Sequence, residues 1–142
     1  MTIASKMNPY LSDLAVMYLK LHDLHWNVKG MQFVPVHEYT EARYDEVTEM
    51  FDAVAELVIM NGEKPVSTIK DYLELATIKE ETKGEYKDSE VLRIVLADIE
   101  HLRAEALDIH EACADNFSVV AMMEDHIAGY DKQIWFLKSM LA

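Results

Sequence analysis

The sequence predicts an all-α fold: a four-helix bundle with a short extra helix in a long crossover between the second and third long helices. Three observations predict it. Apolar residues recur at helical spacing over four long stretches, and only 4 Gly and 3 Pro interrupt 142 residues. The link between the second and third stretches, about 25 residues, is long enough to travel the length of a bundle. So few turn formers argue against a many-stranded sandwich or barrel. The length suits one domain, residues 1–142, able to bury roughly 68–70% of its unfolded surface without a covalent staple.

The first helix is expected over about residues 9–28, started by Asn8-Pro9 and closed by Gly30; Leu11, Leu14, Ala15, Tyr18, Leu19 and Leu21 supply its apolar face. Residues 31–35 read as a connector. The second helix runs from Val36 to Met60 without Gly or Pro, carrying Tyr44, Val47, Phe51, Val54, Val58 and Ile59, and Asn61-Gly62 ends it. A short helical piece opens at residues 64–68 and reaches about Ala76, before a polar stretch at 79–90. Ser89 is the expected cap of the third helix, which continues to about Ala114. Asp115-Asn116 breaks it, and the fourth helix spans about 118–141. The nine Met residues read as core filler.

Charge and cysteine content narrow the function. With 13 Lys+Arg against 26 Asp+Glu, the formal net charge is −13, which argues against nucleic-acid binding over the general surface and for cations as partners. One cysteine, Cys113, excludes an intrachain disulfide and a Cys-rich zinc site. No apolar run approaches membrane-spanning length, and the first residues lack a basic-then-apolar signal layout, so a cytoplasmic protein without a membrane partner is expected.

His25 at the end of the first helix, and His37, Glu41, Asp52 and Glu56 on the second, carry the chemistry. Imidazole with carboxylate suits iron, manganese or zinc. At ~100° per residue, positions 37, 41, 52 and 56 point at ~0°, 40°, 60° and 100°, one polar stripe. The stripe is too long for a single ion: positions 37 and 56 lie ~28 Å apart along the helix axis, whereas metal–ligand bonds are ~2 Å. Either these residues share no metal, or a second chain completes each half. Two second helices crossing antiparallel near residues 46–47 would bring 37 and 41 of one chain to 56 and 52 of the other, giving two identical sites. Surface i,i+4 acids and a satisfied core histidine are the plain alternative in so acidic a chain.

The run His25-Trp26-Asn27-Val28-Lys29-Gly30, with Phe33, His37-Glu38, Tyr44, Asp52 and Ala55-Glu56, then Gly62 and Pro65, resembles the Dps family of bacterial DNA-protecting miniferritins. The similarity extends from about residue 10 to the C-terminal stretch 134–142. The resemblance implies a ferritin-like subunit, twelve copies of which form a hollow shell. It implies a ferroxidase centre between two-fold-related subunits, with His25, His37 and Glu41 from one and Asp52 and Glu56 from the other, holding one or two iron ions. It further implies oxidation of Fe(II), preferably by hydrogen peroxide, and storage of ferric mineral, which protects the cell from oxidative damage. In two places the chain departs from the family: Glu41 stands where Asp is familiar, and Leu57 where Arg usually follows Ala-Glu, removing a guanidinium that could orient a neighbouring acid.

Around this centre, Trp26 and Tyr44 are candidate electron donors to stray oxidant, with packing aromatics as the alternative. Asp45, Glu46 and Glu49 suit either an inner mineral-nucleating wall or a solvated outer face. Glu124, Asp125 and Asp131 fall where the family places acidic pore linings, which would funnel Fe(II). His22 shares a face with His25 as an auxiliary ligand or surface residue, and His101, His110 and His126 show no partner spacing. Family members that bind DNA directly often use a basic terminal tail; here the first nine residues hold only Lys6, and Lys138 stands alone near the C-terminus. Direct DNA binding is therefore not expected. A DNA-compacting or host-interacting shell with a weak or inactive ferroxidase centre is the rival reading.

Overall fold

Helix α1, Ile3–Asn27, leads into a two-residue strand β1, Val28–Lys29, and then α2, Phe33–Met60. The short α3, Ile69–Leu75, precedes β2, Tyr86–Lys87; α4, Asp88–Ala112, and α5, Phe117–Leu141, complete the chain. The computed structural model describes residues 2–142. The four long helices form the expected all-α bundle, with α1 packed chiefly on α2 and α4 chiefly on α5.

The crossover has the expected sense. At one end of the bundle, the backbone N–H of Gln32, just before α2, donates to Asp88 Oδ2 at the start of α4 (3.0 Å). At the other end, Asn116 Nδ2, just after α4, donates to Asn61 Oδ1 just after α2 (2.7 Å). Starts meet starts and ends meet ends, so α2 and α4 run parallel. Strands β1 and β2 pair in parallel, Val28 with Tyr86 and Lys29 with Lys87.

Helix α1 begins six residues before the expected Pro9, which lies inside it. Proline removes one helical hydrogen bond, but the extended first turn is held from outside. Thr2 Oγ1 accepts from Ser5 N (3.1 Å), and the Glu63 carboxylate accepts from the N–H groups of Ile3 and Ala4 at 3.1 and 2.8 Å. Met7, Tyr10 and Leu11 then bury completely. Helix α2 likewise starts at Phe33 rather than Val36, because Pro35 falls in its first turn, where a missing N–H costs nothing. Residues 64–68 stay extended or turned, and Thr68 caps α3 by accepting from Asp71 N (3.2 Å). Ser89 does not cap α4; it sits one turn position inside, while Glu90 Oε1 accepts from Lys87 N at 3.3 Å.

The core is a continuous apolar cluster that includes Leu14, Leu21, Leu24, Val54, Val58, Leu102, Met123 and Leu137. Leu57 belongs to it at 5% exposure, so this position fills the subunit interior. Polar side chains on α1 clamp the crossover along its length. Asn8 Oδ1 accepts from Val66 N, Asp13 accepts from Thr77 N and Ile78 N, Lys20 Nζ donates to the Lys79 carbonyl, and Asp23 accepts from the Tyr86 hydroxyl. Among the described residues, no helix is long and apolar enough to cross a membrane.

Candidate metal centre

The tight reversal between α1 and α2 places His25 against His37. Gly30 makes the reversal possible: its φ is +129°, and a Cβ there would meet Asp88 Oδ2 at 2.6 Å. The two imidazoles stack with centroids 3.6 Å apart and planes 13° from parallel. His25 Nδ1 donates to the His37 carbonyl (2.7 Å), and His37 Nδ1 donates to the His25 carbonyl (2.8 Å). A carbonyl only accepts, so each ring carries its hydrogen on Nδ1 and presents a lone pair at Nε2. That is how metal-binding histidines are usually prepared. Thr40 Oγ1, 3.2 Å from His25 Nδ1, itself donates to the Val36 carbonyl.

Glu41 lies one turn beyond His37, and its Oε1 is 3.9 Å from His25 Nε2. His25 thus stands between the His37 ring and the Glu41 carboxylate at this end of α2, His25 buried and Glu41 open to solvent. Asp52 and Glu56 sit farther along the same helix, exposed and one turn apart. The Glu56 carboxyl is held above its ordinary range by a hydrogen bond with Asp52, then by the Asp52 charge. The structure therefore sets His25 against His37 and near Glu41, and Asp52 one turn from Glu56, as two separate groups.

Aromatic rings wall the first group. Tyr44 meets His25 edge-on at 5.2 Å and stacks on His22 at 3.7 Å, while Phe33 stacks on His37 at 5.0 Å. Burial, then the Glu41 charge, raises the Tyr44 hydroxyl. His22 Nδ1 is committed to the Tyr18 carbonyl at 2.6 Å, and the exposed Trp26 lies 5.4 Å from the His22 ring.

Of the acids expected near a pore, Glu124 pairs with His110 Nε2 (3.2 Å) and Asp131 with Arg103 Nε (2.6 Å). Asp125 instead lines a groove of about 530 Å³ between α2 and α5, together with Glu46, Glu49, His126 and Lys132. His126 is buried, and its Nδ1 is 2.8 Å from the Tyr10 hydroxyl, which also bonds the Tyr130 hydroxyl.

A ferritin-like domain family model matches residues 4–142. Over 133 residues the chain is 33% identical to the DNA protection during starvation protein of Helicobacter pylori, a match covering 92% of each. The chain belongs to the Dps family. Its fold superposes on the crystal structure of Helicobacter cinaedi CAIP with a TM-score of 0.96, at 36% identity, over 99% of this chain and 100% of that one. The Dps protein of Vibrio cholerae O1, described as one of a broad superfamily of ferritin-like diiron-carboxylate proteins, matches with a TM-score of 0.92. It is 26% identical, over 99% of this chain and 89% of its own.

This Dps-family chain also carries a group that sequence spacing missed. Asp13, His101 and Glu105 converge between α1 and α4, the one trio of potential metal ligands found within a chain among the described residues. The i,i+4 spacing of His101 and Glu105 was the available signal. Asp13, 88 positions before His101 in sequence, gave none.

Proposed function

We propose that this chain is a ferroxidase and iron-storage subunit whose catalytic centres form between two-fold-related copies. His25, His37 and Glu41 of one copy and Asp52 and Glu56 of its neighbour bind the substrate Fe(II). The observation that carries this reading is the reciprocal locking of His25 and His37, which leaves each Nε2 free to ligate, that of His25 3.9 Å from the Glu41 carboxylate. Two features support completion by a second copy. The pairs 37 with 56 and 41 with 52 share one midpoint on α2, as an antiparallel two-fold contact requires. Alongside, Tyr18, Leu19, Ile69 and Leu73 are exposed apolar side chains around a groove of about 490 Å³ also lined by Thr48 and Phe51, close to Asp52.

The donor set fits the chemistry. Fe(II) accepts imidazole with carboxylate, and the carboxylates favour Fe(III) by placing negative charge beside the added positive charge. Two Fe(II) ions give one electron each to one hydrogen peroxide, which with two protons leaves as two waters; no hydroxyl radical is released. Few protein ligands hold the product weakly, so Fe(III) moves on to mineral. The groove holding Glu46, Glu49 and Asp125 is the proposed nucleating surface, and a dodecameric shell the proposed container. At −13 per chain, such a shell protects DNA by removing iron and peroxide rather than by binding it.

Stopped-flow measurement of Fe(II)-dependent peroxide consumption tests this. Wild type is expected to consume one peroxide per two Fe(II), and His25→Ala/His37→Ala to lose the activity while remaining folded. Unchanged consumption in that variant would overturn the reading.

A further inference from the structure

Asp13 of α1 and His101 and Glu105 of α4 each offer a donor atom within 4.8 Å of the other two, well away from His25 and His37 along α1. Asp13 is fully buried and fixed in place. Its Oδ1 accepts from the N–H groups of Thr77 (2.6 Å) and Ile78 (2.8 Å), and its Oδ2 accepts from the Thr77 hydroxyl (2.6 Å). His101 Nε2 lies 3.7 Å from Asp13 Oδ2 and 3.5 Å from Glu105 Oε1. That Glu105 oxygen is buried and takes part in no hydrogen bond among the described residues.

His101 Nε2 finds its hydrogen-bond partner in Thr77 Oγ1 at 2.7 Å and not in either carboxylate. An N–H···O bond is best near 2.9–3.0 Å, so 3.5 and 3.7 Å are poor hydrogen bonds. Two donors each ~2.1 Å from one ion, at a tetrahedral angle, stand roughly 3.4 Å apart. The two imidazole–carboxylate separations are close to that spacing. Clamping the crossover accounts for Asp13 and Thr77, while Glu105, 18% exposed, sets a second carboxyl against the first, and two carboxylates so close repel when both are ionised. A cation between the three groups removes that cost. His101, 44% exposed, gives the ion a route from solvent.

We propose that Asp13, His101 and Glu105 form an intrasubunit site for a divalent transition-metal ion of the zinc or cobalt type, which ties α1, α4 and the crossover together. One imidazole and two carboxylates suit such borderline cations. Thr77 Oγ1, 2.7 Å from His101 Nε2, gives its only hydrogen to Asp13 and so accepts the Nε2–H. Ligation uses the other tautomer, with the hydrogen on Nδ1.

Co(II) titration of the His25→Ala/His37→Ala protein tests this site apart from the intersubunit one. The expected result is one Co(II) per chain, with visible d–d absorption and a rise in Tm. Adding Glu105→Gln, or separately His101→Ala, is expected to weaken Co(II) binding by more than about tenfold, the loss that follows even from removing an outer-shell partner. Glu105→Gln keeps the side chain's shape, so it decides the matter if His101→Ala fails to fold. Absence of Co(II) binding in the His25→Ala/His37→Ala background, or binding indifferent to Glu105→Gln, would overturn the proposal.

Discussion

His25 and His37 hold each other's backbone: each Nδ1–H donates to the other residue's carbonyl, at 2.7 and 2.8 Å, across the reversal from α1 to α2. The same two bonds therefore serve stability and ligand orientation. His25→Ala is expected to lower unfolding stability by about 1–3 kcal/mol, because a buried ring and its hydrogen bond to the His37 carbonyl are lost, although that carbonyl still accepts from Thr40 Oγ1. It is also expected to weaken Fe(II) or Zn(II) binding. Chemical denaturation and isothermal titration measure the two effects separately.

The reversal itself depends on Gly30. Gly30→Ala places a methyl against the Asp88 carboxylate and asks an L-residue to hold φ near +129°. A cost of about 1–3 kcal/mol is expected from the backbone alone, seen as a lowered Tm. Asp88 also receives the N–H groups of Gln32 and Ser89, which hold its carboxyl below the ordinary range. Displacing it should loosen the starts of both α2 and α4.

Lys20 and Asp98 form a pair 2.7 Å apart between α1 and α4, with side chains 4% and 14% exposed. Burial raises the Asp98 carboxyl even though Lys20 pulls it down. Lys20→Met strands this carboxylate and the Lys79 carbonyl, and about 3–5 kcal/mol of destabilisation is expected. Lys20→Met/Asp98→Leu should recover most of it. Denaturant midpoints of the single and double variants check the pair.

Acid stability should depend on His126. Burial pushes its imidazole down to about 4, so the folded protein keeps it neutral, hydrogen-bonded to Tyr10. The unfolded chain takes up that proton near pH 6.5. This contribution is complete above pH 6.5 and is lost as pH falls toward 4, amounting to about 3 kcal/mol in all. His126→Gln should show a shallower fall in stability over that window than wild type, measured by urea denaturation at several pH values.

The bundle was legible because helical periodicity is local, and the length of one link alone implied the crossover. The ends of helices were less so. Pro9 and Pro35 each suggested a boundary, yet α1 extends past Pro9 because Glu63, sixty residues away, satisfies its first N–H groups. The candidate centre was legible in its residue types and in the stripe on α2. The stacking of His25 on His37 and their locked tautomers were not, since both depend on the path of residues 28–32. Asp13, Lys20 and Glu105 were hidden for the same reason: their partners come from the crossover or the opposite helix, and nothing local marks a buried acid as paired.

The central claim is that two chains build each ferroxidase centre. It is tested most directly by co-refolding the His25→Ala/His37→Ala chain with the Asp52→Ala/Glu56→Ala chain and measuring Fe(II)-dependent peroxide loss. Each variant alone is expected to be inactive, and a one-to-one mixture to regain about one quarter of the wild-type sites, those pairing an intact imidazole half with an intact acidic half. A mixture as inactive as its parents would contradict the account.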